Sequence, residues 1–154
     1  MLKNKFVSLF LFLITTFSAS FIGGITTFKF KEPWYSTLVK PSFNPPDWVF
    51  GPVWTILYIL MAIAIWNVWI KSKNINLVYL YFIHLFFNTT WSVVFFGFNQ
   101  IELALINLIV LILFIVILFR KYKVISKLSA YLMIPYFIWC CFAFLLNLNL
   151  IMLN

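Results

Sequence analysis

The sequence predicts an all-α membrane protein, a bundle of five transmembrane helices in a single domain, with a long first loop rich in aromatic residues and proline. Three observations carry this. Of 154 residues, 65% are hydrophobic and only 14 are charged (11 Lys and Arg, 3 Asp and Glu), too few to keep such a chain in water. The apolar residues fall into five runs, uncharged except for Glu102 at the start of the fourth, each near the roughly 20 residues that cross a bilayer. Finally, the basic residues sit between those runs and distribute unequally on alternate sides.

The spans are expected at 6–28, 48–70, 76–98, 101–119 and 129–153. In the first, Lys3 and Lys5 followed by an apolar run and Ser18-Ala19-Ser20 also match the three regions of a cleaved signal peptide. The apolar character nevertheless continues through Phe21, Ile22 and Ile25, and Gly23-Gly24 offers a flat surface for close helix packing, so a retained span is expected. Pro52 falls in the first turns of the second span, where a missing amide costs little. Glu102 opens the fourth as a favourable charge at a helix N-terminus. Pro135 lies deeper in the fifth, where a kink is expected.

Eight basic residues (Lys3, Lys5, Lys71, Lys73, Arg120, Lys121, Lys123 and Lys127) fall on one side and three (Lys29, Lys31 and Lys40) on the other. The positive-inside bias then predicts a multi-pass protein of the cell membrane with a cytoplasmic N-terminus and an outward-facing first loop. The net charge of +8 is accounted for by these loops, so nucleic acid is not expected as a partner.

Chemistry is restricted by scarcity. With Glu32, Asp47 and Glu102 as the acids and His84 as the single imidazole, neither a metal cluster nor a hydrolytic triad has its parts, and no metal is expected. Cys140 and Cys141 are adjacent, unsuited to an ordinary disulfide, and read as small helix residues. The informative groups are polar and aromatic side chains within the spans, because hydrogen-bonding atoms are costly in hydrocarbon and face a partner or a cavity. His84, Asn88, Trp91, Ser92 and Phe95 recur at helical spacing, as do Trp54, Tyr58 and Met61, and Tyr136, Trp139, Ala143 and Asn147. At about 1.5 Å per residue, Trp54, Asn88 and Trp91 lie roughly 9 to 15 Å below the outer helix ends and Trp139 roughly 20 Å, so one cavity can draw on all three stripes. Equally, the asparagines and His84 can serve as ties between helices and the indoles as core. The loop holding Trp34, Tyr35, Lys40, Pro41, Pro45, Pro46, Asp47 and Trp48 fits either a lid over the helix ends or an interfacial aromatic belt.

These residues carry a resemblance. Trp34-Tyr35, Lys40-Pro41, Pro45-Pro46, Pro52-Val53-Trp54, Leu57-Tyr58, Asn88, Trp91-Ser92, Phe95-Phe96-Gly97, Pro135-Tyr136, Trp139, Ala143 and Leu146-Asn147 together resemble the TspO/MBR family of translocator proteins over nearly the whole chain. The resemblance implies a five-helix bundle forming a homodimer, and a pocket closed by the first loop for hydrophobic small molecules: porphyrins such as protoporphyrin IX and drugs of the isoquinoline carboxamide and benzodiazepine types. No cofactor beyond such a tetrapyrrole ligand is implied. Carried over by motif, the pocket includes Tyr35, Trp54, Tyr58, Asn88, Trp91, Trp139 and Ala143; the stripes add His84 and Asn147. Three functions follow from this: a sensor or regulator of tetrapyrrole, a light-dependent degrader of it with Trp54 and Trp139 as redox relays, and a transporter. Two departures from the family pattern stand out. His84 occupies a position where the family often has Gln, and residues 146–152 lack the Tyr and basic residue of the sterol-binding pattern of animal members, so sterol transport is not carried over.

Overall fold

The computed structural model describes residues 4–154, and its regular structure is entirely helical. In order it contains α1 (Lys5–Phe30), α2 (Trp34–Thr37), α3 (Asp47–Ser72), α4 (Ile75–Ser92) continued by a π-helical turn (Val93–Gly97), α5 (Ile101–Ile125), α6 (Lys127–Leu132) and α7 (Ile134–Leu153). Among the described residues five helices are long and apolar enough to cross a membrane, α4 counted with its π turn and α6 with α7. The inverted surface fits that setting: Phe10, Phe21, Phe86, Leu113 and Ile138 all point outward.

Polar caps open several helices. The Asn4 carboxamide accepts from the amides of Phe6 and Val7, Asn74 caps α4 at Asn76, and Ser126 caps α6 at Ser129. The fifth span breaks at Met133, just before Pro135, as the proline predicts.

Four features differ from expectation. Pro52 is the sixth residue of α3, beyond the amides that lack an intrahelical partner, so the Trp48 carbonyl loses its bond from within the helix. The fourth helix does not stop at 119 but runs to Ile125, because helicity outlasts apolarity: Arg120, Lys121 and Lys123 ride its last turns, where cations suit the helix dipole and long stems reach the interface. The third span is not uniformly α-helical. Its end widens into the π turn, with the Phe98 amide bonded to the Val93 carbonyl at 3.0 Å, which leaves Phe95 and Phe96 both buried. The first loop, finally, contains the short helix α2.

Around the bundle α1 packs between α3 and α4, α5 packs between α4 and α7, and α3 closes the ring chiefly through α6. Lipid supplies no hydrophobic drive between helices, so small residues and polar ties hold these seams. A Cβ at Gly23 would stand 3.2 Å from Ser92 Oγ, marking a close α1–α4 approach. Gly24 does not share that role, since nothing lies within 4 Å of it. Thr16 and Tyr81 join α1 to α4 by hydroxyls 2.7 Å apart, and Asn107 donates to Thr90 Oγ1 at 2.8 Å between α5 and α4. At the end of the bundle away from the first loop the Asn67 amide donates to Ser126 and Ser129 at 2.9 Å each. Because α3 meets the last span mainly at α6, the halves of α3 and α7 nearer the first loop stand apart and leave a space.

Candidate ligand-binding cavity

That space is a cavity of about 670 Å³. Helix α1 supplies Ser20, Gly23, Gly24 and Thr27, and α3 supplies Phe50, Gly51, Trp54 and Tyr58. Asn88, Trp91 and Phe95 come from α4 and its π turn, and Trp139, Ala143 and Asn147 from α7; Tyr35 and Asn44 of the first loop complete it. The three stripes thus converge, with eight of the nine sequence-predicted ligand residues on the wall.

The exception is His84. It is fully buried and lies behind the wall, its Nε2 3.0 Å from the Tyr136 hydroxyl, and does not line the cavity. Met61 and Tyr136, members of two stripes, are likewise buried behind it. Sequence reasoning missed Phe50 and the whole α1 wall. The signal was present: Ser20, Gly23, Gly24 and Thr27 recur at helical spacing as small residues in a helix of large apolar ones.

Aromatic rings form most of the surface. Trp54 meets Tyr58 at 5.6 Å between centroids and Tyr136 edge-on at 6.2 Å. Trp139 sits between Phe50 (5.9 Å) and Phe142 (5.6 Å), and Trp91 stacks on Phe95 at 5.1 Å. The floor is a hydrogen-bonded chain. The Tyr58 hydroxyl donates to Asn88 Oδ1, and Asn88 Nδ2 donates to the Tyr136 hydroxyl at 2.8 Å. By contrast, both side-chain polar atoms of Asn147 and the indole Nε1 of Trp91 are buried on this wall without a protein partner. A buried polar group left so is costly, and a ligand carrying complementary atoms relieves that cost.

The loop packs as a lid. Tyr35 is buried with its ring against Phe95 (6.1 Å) and Phe96 (5.6 Å), and its hydroxyl donates to Asn44 Oδ1 at 3.4 Å. The Lys40 ammonium lies 4.5 Å from the centre of the same ring. Burial first, and then the charge of Asp47, raise the Tyr35 phenol above its ordinary pKa, so the lid holds it neutral. Asn154 fastens the loop at the chain's end, accepting from the Val39 amide at 2.9 Å and donating back to its carbonyl at 3.1 Å. The Lys31–Asp47 ion pair ties the end of α1 to the start of α3. Trp48 is 76% exposed and does not line the cavity. Of its three lysines only Lys31 lines the cavity.

The sequence profile of the TspO/MBR family matches residues 10–153. The chain belongs to that family. It is 37% identical to the tryptophan-rich protein TspO of Chlorobaculum tepidum, with 99% of each chain covered, and 35% identical to the tryptophan-rich sensory protein of Cereibacter sphaeroides over 92% of this chain and 91% of that one. The human translocator protein is 35% identical over 74% of this chain and 70% of its own. Membership and the five apolar helices together make this a multi-pass membrane protein of the translocator type.

Proposed function

We propose that this TspO/MBR protein binds a flat conjugated tetrapyrrole, of which protoporphyrin IX is the type, and acts as a sensor or regulator of it that promotes its oxidation in light. The observation that carries the reading is the wall itself: three indoles and two phenols around about 670 Å³, within the roughly 300–1,000 Å³ typical of small-molecule pockets. A macrocycle gains by stacking on such rings. Asn147 and the Trp91 N–H offer it polar contacts, and Lys31 stands where a propionate can reach it. Drugs of the isoquinoline carboxamide type suit the same surface. The name of the Cereibacter sphaeroides relative, a sensory protein, agrees with a signalling role.

Degradation needs no acid–base machinery, since an excited porphyrin with oxygen supplies the reactivity and the protein contributes oxidisable indoles, Trp54 and Trp139. Transport is less supported, because the break in the last span lies at Met133, below the cavity rather than in its wall. The proposal includes the homodimer that the family resemblance implies, and a cell-membrane location with the N-terminus in the cytoplasm.

The test is an absorption titration of purified protein with protoporphyrin IX in the dark, followed by illumination. A saturable spectral shift and a protein-dependent loss of porphyrin absorbance are expected. Saturable binding with bleaching no faster than in empty micelles leaves a binding protein without the oxidative activity.

A further inference from the structure

The floor of the cavity ends in a feature the binding reading does not use. Tyr58, Asn88, Tyr136 and His84 form one chain of hydrogen bonds, and its polarity can be read from the chemistry of each group. An amide NH₂ only donates, so the Asn88 to Tyr136 bond at 2.8 Å occupies the phenol oxygen as acceptor. The Tyr136 hydroxyl lies 3.0 Å from His84 Nε2, and in the tautomer that carries its proton on Nδ1, a buried nitrogen without a hydrogen-bond partner, Nε2 accepts the Tyr136 proton. Tyr58, at the other end, gives its proton to the Asn88 amide oxygen. Two phenols therefore touch the same indole, Trp54, at 5.6 Å and 6.2 Å, but they differ in what holds their protons. An amide oxygen is too weak a base to take a proton from a phenol; an imidazole nitrogen can.

We infer that Tyr136 and His84 form a proton-coupled redox pair that drains the oxidising equivalent from Trp54. When a one-electron oxidant in the cavity, such as a photo-excited tetrapyrrole, removes an electron from Trp54, the indole radical cation takes one electron from Tyr136. The Tyr136 O–H bond breaks as its proton passes to His84 Nε2. The products are neutral Trp54, a neutral tyrosyl radical and a protonated imidazole, with electrons, protons and charge conserved. Moving the proton spares the protein a phenol radical cation, and the positive charge passes from the indole to the imidazole. The pair would return Trp54 to its reduced state and store the equivalent one layer behind the ligand, away from the indole that contacts it. His84 acts here through Tyr136 and not on the ligand.

This inference extends the oxidative part of the proposed function, but its test does not depend on porphyrin. Full-length protein in detergent, illuminated with a ruthenium tris-bipyridine photo-oxidant and persulfate and then frozen, is examined by electron paramagnetic resonance. A neutral tyrosyl signal is expected in the wild type. Tyr136→Phe should lose most of it in favour of a tryptophan radical. His84→Gln, which keeps a hydrogen-bonding side chain of similar reach but removes the base, should do the same. In wild-type protein produced in D₂O the tyrosyl signal should form severalfold more slowly, which a purely structural hydrogen bond would not cause. A tyrosyl yield unchanged in both variants, or a formation rate the same in H₂O and D₂O, overturns the relay whatever the cavity binds. Absence of porphyrin bleaching with the relay intact would instead count against the proposed function.

Discussion

Asn147→Leu separates a cavity built for a ligand from one that is merely left over. In the structure Asn147 is 1% exposed, and neither its amide nitrogen nor its carbonyl oxygen has a protein partner. Each such group carries a penalty of about 1 to 3 kcal/mol when fully buried. Because the side chain borders a space of about 670 Å³ that water can enter, the lower end applies, and a net gain of about 1 to 2 kcal/mol is expected on replacing the amide with a leucine of similar size. At roughly 2 to 4 °C per kcal/mol for a chain of this length, the ligand-free variant should melt roughly 2 to 8 °C higher. Its affinity for protoporphyrin IX should move the other way, weakening by about five- to thirtyfold through loss of one or two kcal/mol of hydrogen bonding. Differential scanning fluorimetry in detergent, without ligand and over a ligand series, reads both. A lower melting temperature without ligand, or unchanged affinity, refutes the assignment of Asn147 as a polar contact held in reserve.

Other substitutions probe separate links. Trp54→Phe and Trp139→Phe should each keep the fold and most porphyrin affinity, since a phenyl ring still stacks, while slowing light-driven loss of porphyrin absorbance; an unchanged bleaching rate in the double variant removes the redox role of these indoles. Gly23→Val should cost about 1 to 3 kcal/mol by forcing the α1–α4 seam apart, whereas Gly24→Ala, entering open space, should leave the melting temperature unchanged. Reporter fusions should place the N-terminus in the cytoplasm and the C-terminus outside, and both ends on one side would contradict the topology.

Much of the fold was legible because a bilayer demands long apolar runs and leaves the charges between them. What escaped were places where hydropathy and helicity part company. α5 continues to Ile125 on charged residues, and the π turn at Val93–Gly97 is a change of backbone hydrogen bonding invisible to apolar periodicity. For the site, helical spacing gave the direction in which each side chain points but not what stands in front of it. Trp54, Asn88 and Trp139 reach the cavity, while His84, one turn below Asn88, meets Tyr136 first. The α1 wall went unread because a cavity wall can be made by what is missing, and small residues at 20, 23, 24 and 27 announce themselves only by contrast with their neighbours. The asparagines divided similarly: Asn88 is a tie within the bundle and also part of the wall, whereas Asn147 has no tie at all.

The most direct test of the tetrapyrrole cavity is the dissociation constant for protoporphyrin IX in lipid nanodiscs, measured in the dark for the wild type and for the triple variant Trp54→Ala, Asn88→Ala, Trp139→Ala. The wild type should saturate at one ligand per chain, and the triple variant should bind at least about tenfold more weakly, the equivalent of about 1.4 kcal/mol. Uptake that never saturates in the wild type, or an affinity unchanged in the triple variant, would contradict it.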